Sequence, residues 1–490
     1  MKKHIISAIS LIFLLFVLSN CKEEFLEKTS PGSLAADNFF KTSEHAVWGT
    51  NAVYEHLRDW QVHVFSYIGM TDIASDDADK GSTVNDASFL KEIDDFTFDA
   101  SNIGPGTVWA GYYRGIYRAN VAIQNIPLID MDETLKARLL GECKFLRAYF
   151  YFKLVRWFGD IPLITKPLGG DEFEQTRTPV NDVYALIKQD LNDAIAALPL
   201  KSKYPSKELG RATKGAAQGL LAKVHLTLNE FQAAEPLLLA VINSGEYALM
   251  ADYKKIFTPE GENAEESLFE VQAAAFDQNI AGSQYNEVQG VRGTPNLGWG
   301  FNRPSDDLVS AYEIGDPRRD ATILYPGEVL PDGSDVVQDN PNIVNERYNQ
   351  KAWVPEHDGG NGNGPGNIRL LRYADILLMA AEVLNENDKP QQALEYLNAI
   401  RTRARGNRNG VLPNVTTTDK SALRNRIWQE RRVELAMEQH RWFDLLRTNR
   451  VASAMQKVGK NFVSGKHELF PIPQTEVDLS AGAITQNPGY

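Results

Sequence analysis

Three carboxylates lie close together in the chain, at Asp76, Asp77 and Asp79. Grouped carboxylate oxygens are the ligands that Ca²⁺ prefers, so this segment has the right chemistry for a cation. It lacks the alternating ligand positions and the distal glutamate of a calcium-binding loop. We therefore interpret it as a solvated acidic turn, and the sequence predicts no cofactor and gives no support for a structural Ca²⁺.

A second charged group, near the C-terminus, contains Glu434, Glu438 and His440, which are residue types that serve acid–base chemistry or bind metals. Arg431 and Arg441 stand at helical spacing from these carboxylates, which favours ion pairs along one helix. Ion-pair networks of that kind shift the pKa values of carboxylates even where no catalysis occurs. We interpret the group as structural.

The chain also lacks the common sequence signatures of hydrolases. It contains no Gly-X-Ser-X-Gly and no His-Glu-X-X-His, and it has only 8 histidines in 490 residues. A glycoside hydrolase with two paired carboxylates is the enzymatic alternative. The sequence favours a binding protein over an enzyme.

Cys21 is the residue whose chemistry the sequence indicates most directly. It follows Leu18-Ser19-Asn20 at the end of a short apolar run that Lys2 and Lys3 precede. This is the layout of a secretory signal peptide, and the four residues resemble a bacterial lipobox. We predict a signal peptide over residues 1–20, cleavage before Cys21 and a lipid on that cysteine.

Cys143 is the only other cysteine. Once Cys21 is acylated, Cys143 has no partner for an intrachain disulfide, so the exported chain must be held together by its core. Cys143 lies in an apolar helical stripe with Leu139 and Leu146. We predict a buried small hydrophobic residue rather than a nucleophile.

The formal charge is −13, and the leader removes two lysines and no acid, so the mature chain is still more acidic. Such a surface repels phosphates, and no nucleic-acid partner is expected. Past the leader, no stretch is apolar and long enough to cross a bilayer. The expected membrane link is therefore the lipid.

The elements that position any site in this chain are predicted to be helices. Apolar residues recur at spacings of three or four in residues 133–158 and again in 180–198, and prolines follow both segments. Two later segments match each other in the spacing of small and apolar residues, one starting at Ala222 and the other at Ala381. This pattern is typical of tetratricopeptide-like helical hairpins.

Two stretches differ from the helical segments: residues 60–110, and residues 258–366, which are rich in Gly, Pro and Asn and end in a Gly-rich loop. Long irregular insertions on a helical scaffold usually carry function. We predict a single domain over residues 21–490, with scaffold helices over about 112–250 and 368–450.

Many longer motifs resemble one family. The segment Glu430–Leu445 looks like its signature helix, and Leu469–Glu476 with Gln486–Tyr490 looks like its tail. The family is SusD/RagB, outer-membrane lipoproteins of Bacteroidetes, and the resemblance covers essentially the whole mature chain. Further matching blocks are Tyr117–Asn120, Phe145–Tyr149, Trp157–Pro162, Arg177–Pro179 and Arg372–Leu378.

The resemblance implies a mostly α fold in which a tetratricopeptide-like helical scaffold carries a large irregular ligand-binding region. It also implies a lipid-anchored protein on the outer face of the outer membrane that caps a SusC-like TonB-dependent transporter. Such a protein captures a nutrient, usually an oligosaccharide, and performs no catalysis. The alternative is the same fold binding peptides or protein fragments. Lys22-Glu23-Glu24 resembles the surface-export signal of lipoproteins from these bacteria.

Sugars present flat C–H faces ringed by hydroxyls, so exposed aromatic rings with nearby carboxylates, amides and arginines bind them. Trp299 lies between two glycines and Trp353 precedes the Gly-rich loop, which makes these two the leading candidates. Trp109, Trp157, Trp428 and Trp442 are predicted to be core residues. The other candidate ligand residues, all in the two irregular stretches, are Trp60, Asp76, Asp77, Tyr285, Arg292, Asn296 and Tyr325.

Overall fold

A computed structural model describes residues 39–274, 281–343, 345–355, 357 and 363–490, apart from the side chain of residue 171. The predicted leader, Cys21 and the export signal lie outside these residues, as do residues 359–362 of the Gly-rich loop. Within the described part of the chain, no helix combines the length and apolar character needed to cross a membrane.

The N-terminal half is built almost entirely of helices, with one short strand, β1 (Ala78–Gly81). A π-helical turn, Gly69–Ile73, leads into this strand. The α-helices are α1 (Ser43–Glu55), α2 (Trp60–His63), α3 (Phe65–Ile68), α4 (Ser88–Asp95), α5 (Ile103–Asn125), α6 (Glu133–Phe158), α7 (Val180–Ala197), α8 (Lys214–Thr227) and α9 (Phe231–Asn243).

The middle of the chain contains short elements joined by long loops. The helices are α10 (Tyr285–Gln289), α11 (Asp306–Ala311) and α12 (Arg319–Thr322). The strands are β2 (Ser267–Val271), β3 (Phe301–Pro304), β4 (Ile323–Leu324), β5 (Tyr348–Asn349) and β6 (Ile368–Arg372).

The C-terminal part returns to helices before an extended tail that ends in one more short helix. These are α13 (Tyr373–Glu386), α14 (Pro390–Arg405), α15 (Lys420–Glu434), α16 (Arg441–Arg447), α17 (Val451–Val458) and α18 (Gln474–Leu479). The predicted mostly α fold is confirmed.

Local sequence explains where the long helices begin and end. The Asp132 side chain accepts a hydrogen bond from the Leu135 N–H (2.8 Å), which caps α6. Helix α6 ends at Gly159, whose φ of +72° suits glycine. Helix α5 begins at Ile103, so Trp109 lies inside a helix and is buried, as predicted.

The two matched segments form helical hairpins, as their spacing predicts. Helix α8 packs on α9 and α13 packs on α14, and α9 also packs on α13, so the hairpins are neighbours in space. Asn229 and Asp388, in the two turns, have φ of +57° and +60°. Asn and Asp tolerate this left-handed conformation better than most residues, which explains them at both turns.

Two antiparallel strand pairs fix the positions of the irregular stretches: one joins the two stretches to each other, and one joins the ends of the longer stretch. Strand β1 pairs with β3, with Ala78 opposite Pro304 and Gly81 opposite Phe301. Strand β2 pairs with β6 and so closes the ends of the long insertion together. The β1–β3 pair matters for the site, because it brings the loop before Phe301 to the segment around α2 and α3.

The largest group of buried apolar side chains extends from Ala46 to Ile484 and includes residues of α5, α6, α8 and α13. Cys143 is fully buried in it, and burial raises the pKa of its thiol to about 12. Trp157 and Trp442 are buried in the same core, whereas Trp428 is only half-buried. The interpretation of Cys143 as a buried hydrophobic residue is confirmed.

Candidate functional site

Two of the predicted ligand residues, Trp60 and Trp299, come together at the surface. Their ring centroids lie 6.1 Å apart with an angle of 55° between the planes. The Trp60 side chain is 37% exposed and Trp299 is half-buried. Because a partly exposed pair of large rings is uncommon on a folded surface, it marks a candidate ligand platform.

Phe65 supports both rings from beneath. Its centroid lies 5.3 Å from that of Trp60 and 6.0 Å from that of Trp299. Phe301 and Phe89 pack edge-on against Phe65 at 4.8 and 5.3 Å. The platform is therefore continuous with the core, which fixes the orientation of both tryptophans.

Glycines hold Trp299 in place. The Trp299 N–H donates a 2.8 Å hydrogen bond to the carbonyl oxygen of Glu287. A Cβ at Gly298 would lie only 2.2 Å from that same oxygen, and Gly300 has φ of +74°. Only glycine fits so close to the Glu287 carbonyl oxygen at position 298. The glycines on either side of Trp299 are therefore required by the backbone conformation.

Trp60 is positioned by the cap of its own short helix. The Asp59 side chain accepts a 2.9 Å hydrogen bond from the Gln61 N–H at the start of α2. Two residues before it, Arg58 Nη1 donates to the carbonyl oxygen of Ala281 (3.0 Å) in the irregular middle of the chain. Phe65 was not among the predicted site residues, because only the three-dimensional structure places it against both rings.

Polar groups flank the Trp299 side. Arg292 donates to Ser82 Oγ (2.6 Å) and forms an ion pair with Asp86. The hydrogen bond from Arg292 holds the pKa of Asp86 below its usual range, so Asp86 is ionised at neutral pH. A Cβ at Gly300 would lie 3.2 Å from the Arg292 Cβ, which places Arg292 next to the residue that follows Trp299. Asn296, on the same loop, is exposed.

Trp353 and Tyr325 line different clefts. Trp353 is half-buried in a cleft of about 740 Å³ with Phe257, Leu330 and Gln350. Tyr325 is half-buried and lines a second opening of about 590 Å³. The two leading candidates, Trp299 and Trp353, thus lie on the walls of separate surface features.

Asp76 and Asp77 are not a solvated acidic turn, and that prediction is wrong. Their side chains are 2% and 0% exposed. Asp76 pairs with both Nε and Nη2 of Arg441 at 2.7 Å, and Asp77 pairs with Arg432 Nε at 2.7 Å. Buried carboxylates engaged in this way cannot face a ligand, because each must keep its cation.

Asp79 lies in β1 and pairs with Arg303 (2.7 Å) in the partner strand. Tyr285 is also placed differently from its prediction as a ligand residue. It is 7% exposed and its hydroxyl accepts from the Gln439 amide, so it is a core residue. The described residues contain no group of His, Cys, Asp or Glu that could hold a metal ion.

The charged residues of the C-terminal signature form ion pairs with residues of other elements. The predicted pairing of Glu434 and Glu438 with Arg431 and Arg441 along one helix is therefore wrong. Glu434 accepts from Arg318, Arg372 and Arg403, all outside its own helix. Glu438 lies beyond the end of α15 and pairs with Arg372 and Lys351. The role is structural, as interpreted, but its partners are distant in sequence.

Two family profiles match the two halves of this chain. A sequence profile of the SusD family matches residues 265–490. A second profile, described as starch-binding associating with outer membrane, matches residues 24–226. The chain belongs to the SusD family.

Individual SusD-like relatives match over nearly the whole chain. A structure described as a laminarin binding SusD-like protein is 30% identical, with a TM-score of 0.79, and the match covers 92% of this chain and 100% of that one. Surface glycan-binding protein A from Bacteroides fluxus is 25% identical, with a TM-score of 0.78 and the same coverage. SusD-like protein P2 of Formosa agariphila is 29% identical over 100% of both chains.

Proposed function

We propose that this SusD-family chain binds a glycan on the Trp60–Trp299 pair and delivers it to a TonB-dependent transporter. The observation that carries the proposal is the ring pair itself, with centroids 6.1 Å apart at a partly exposed surface. The 55° angle between the rings offers two stacking faces that are not parallel, which suits a curved oligosaccharide better than a flat one.

The ligand class rests on chemistry and on the relatives. Aromatic rings stack on the apolar faces of sugars, and Arg292 and Asn296, on the same loop as Trp299, would supply donors for the hydroxyls around them. Two similar structures are described as laminarin binding and as surface glycan-binding. A neutral glucan oligosaccharide is therefore the first ligand to test.

We propose capture without catalysis. A glycoside hydrolase needs a carboxylic acid that retains its proton near neutral pH. Asp86, the carboxylate paired with Arg292, has the opposite character, because Arg292 keeps it ionised. The arrangement favours holding a sugar over cleaving it.

The proposed location follows from the N-terminus and the family. A lipid on Cys21 would tether the chain to the outer membrane, and Lys22-Glu23-Glu24 would direct it to the outer face. One anchored end leaves the rest of the protein in water, where it can cover the mouth of a SusC-like transporter. The profile matched by the N-terminal half describes outer-membrane association.

Calorimetry on the soluble chain starting at Lys22 tests the binding site. The probes are laminarin oligosaccharides, starch oligosaccharides and a set of peptides. Trp60→Ala and Trp299→Ala each remove one stacking ring, so glycan binding should weaken by at least about two- to tenfold, from roughly 0.5–1.5 kcal/mol per aromatic contact. Trp48→Ala is the matched control, because Trp48 is 49% exposed and contacts Phe39 and His45 instead.

Three outcomes contradict the proposal. Binding that survives both tryptophan substitutions excludes the platform. Loss of binding with Trp353→Ala alone assigns the ligand to the 740 Å³ cleft instead. Binding of peptides together with no binding of any glycan would show that the ligand is a peptide and not a sugar.

Affinity purification of the full chain from outer membranes tests the transporter. A TonB-dependent transporter should copurify in a fixed ratio, and Cys21→Ala should release the chain from the membrane fraction. Recovery of the lipidated protein alone, from the inner membrane, would contradict this part of the proposal.

A further inference from the structure

An interior cavity lies between α6, α8, the β2–β6 pair and the segment around α16. Its volume is about 40 Å³. One water needs roughly 10–15 Å³ of such space, so a few small species fit. The basic side chains in its lining are Lys153, Arg156, Lys223, Arg431, Arg447 and His440, and the acidic ones are Glu438 and Asp444.

Lys153 brings a cationic head into an aromatic environment. Its ammonium donates a 2.9 Å hydrogen bond to the Tyr67 hydroxyl and lies 4.7 and 5.3 Å from the ring centroids of Tyr67 and Phe443. Within the described residues it has no carboxylate at ion-pair distance, and it is 7% exposed. Burial lowers the pKa of Lys153 well below its usual value, and Arg156 and Lys223 lower it further.

Arg156 lies one turn further along α6, on the same face. Its guanidinium is stacked between the rings of Phe152 and Phe443, 3.7 and 3.8 Å from their centroids. Its Nε donates to the carbonyl oxygen of Phe152 (2.9 Å). In the part of the chain that the structure describes, Arg156 also has no carboxylate at ion-pair distance.

The other cations of the cavity are matched by acids. Lys223 pairs with Asp375 (2.7 Å), and Arg431 pairs with Asp375 and Asp444. Arg447 pairs with Asp444 and with Glu382. Arg156, and Lys153 in its protonated form, are therefore positive charges without a matching acid at this cavity, and stacking on aromatic rings does not neutralise them.

We propose that this cavity binds a small monovalent anion of halide size, held between Lys153 and Arg156. The Lys153 ammonium has three N–H groups and uses one on Tyr67, so two are left to donate to an anion. An anion there also screens the repulsion among Lys153, Arg156 and Lys223. A halide with a water or two fills the 40 Å³.

Crystals of the soluble chain grown in bromide test the site directly. The expected result is an anomalous peak in the cavity within hydrogen-bond reach of Lys153 Nζ. A cavity without anomalous signal, in crystals that show bromide elsewhere on the protein, overturns the proposal. This measurement uses the unsubstituted protein and does not depend on the folding of any variant.

Thermal unfolding tests it in solution. At constant ionic strength, replacing gluconate by chloride should raise the Tm by about one to two degrees for each tenfold increase above the Kd. Lys153→Met should abolish the chloride response. Lys144→Met is the matched control on the same helix, since Lys144 pairs with Asp193 (2.6 Å). A wild-type Tm indifferent to chloride, or equal responses in both variants, would overturn the proposal.

Discussion

Arg372→Met tests the buried ion network that joins the long insertion to the C-terminal helices. Arg372 is 2% exposed and donates to three carboxylates at 2.7 Å, those of Glu266, Glu434 and Glu438. It also donates to the carbonyl oxygen of Glu434 (2.7 Å). Methionine replaces the apolar stem of the side chain and removes all of these bonds.

The expected loss of stability depends on which cations the three carboxylates keep after the substitution. Removing one partner of a buried ion pair costs about 3–5 kcal/mol. Each carboxylate here keeps a second cation: Arg403 for Glu266 and Glu434, and Lys351 for Glu438. We therefore expect the free energy of unfolding to fall by about 3 kcal/mol, the lower end of that range.

Urea denaturation of the soluble chain measures this loss. Arg319→Met is the control, because Arg319 is 51% exposed and pairs with the exposed Asp320, and surface pairs contribute about 0–1 kcal/mol. A loss for Arg372→Met as small as that for Arg319→Met would refute the view that the network holds these segments together.

Three further predictions concern acid stability, the ligand loop and the buried thiol. Burial raises the pKa of Asp76, but Arg441 and Arg432 outweigh it and lower the pKa to about 2, so its contribution to stability is present above pH about 4 and is lost as the pH falls towards 2. Asp76→Asn should therefore flatten the decline of Tm with pH in that window, and an unchanged decline would contradict the assignment. Gly298→Ala should displace Trp299 and weaken glycan binding measured by calorimetry, whereas Gly169→Ala, where a Cβ meets nothing within 4 Å, should not. Cys143 should react with Ellman's reagent only as fast as the protein opens, because its thiol is buried with a pKa of about 12; rapid reaction in the native state would contradict its burial.

The helices were predictable because their signals are local. Apolar spacing within residues 133–158 and a glycine at 159 determine α6 with no knowledge of its neighbours. The matched hairpins were predictable for the same reason, since small residues at repeated offsets report on two helices that follow each other in the chain.

The site was only partly predictable, because its geometry depends on contacts between distant segments. Trp60 and Trp299 were both candidates, but their meeting depends on the pairing of β1 with β3, which carries no local signal. The sequence assigns Asp76 and Asp77 to solvent because the segment lacks the ligand spacing of a calcium-binding loop and nothing local indicates burial. Their arginines lie 365 and 355 residues away, so only the fold reveals their burial.

That separation has a consequence for the order in which the protein folds. Asp76 and Asp77 are synthesised early, whereas Arg432 and Arg441 exist only when the chain is nearly complete. Burying the two carboxylates before then would leave their charges uncompensated, which is strongly unfavourable. These two carboxylates therefore cannot reach their final buried arrangement before the C-terminal helices are made. For a chain with the predicted secretory leader, such a delay would help to keep the polypeptide unfolded during translocation.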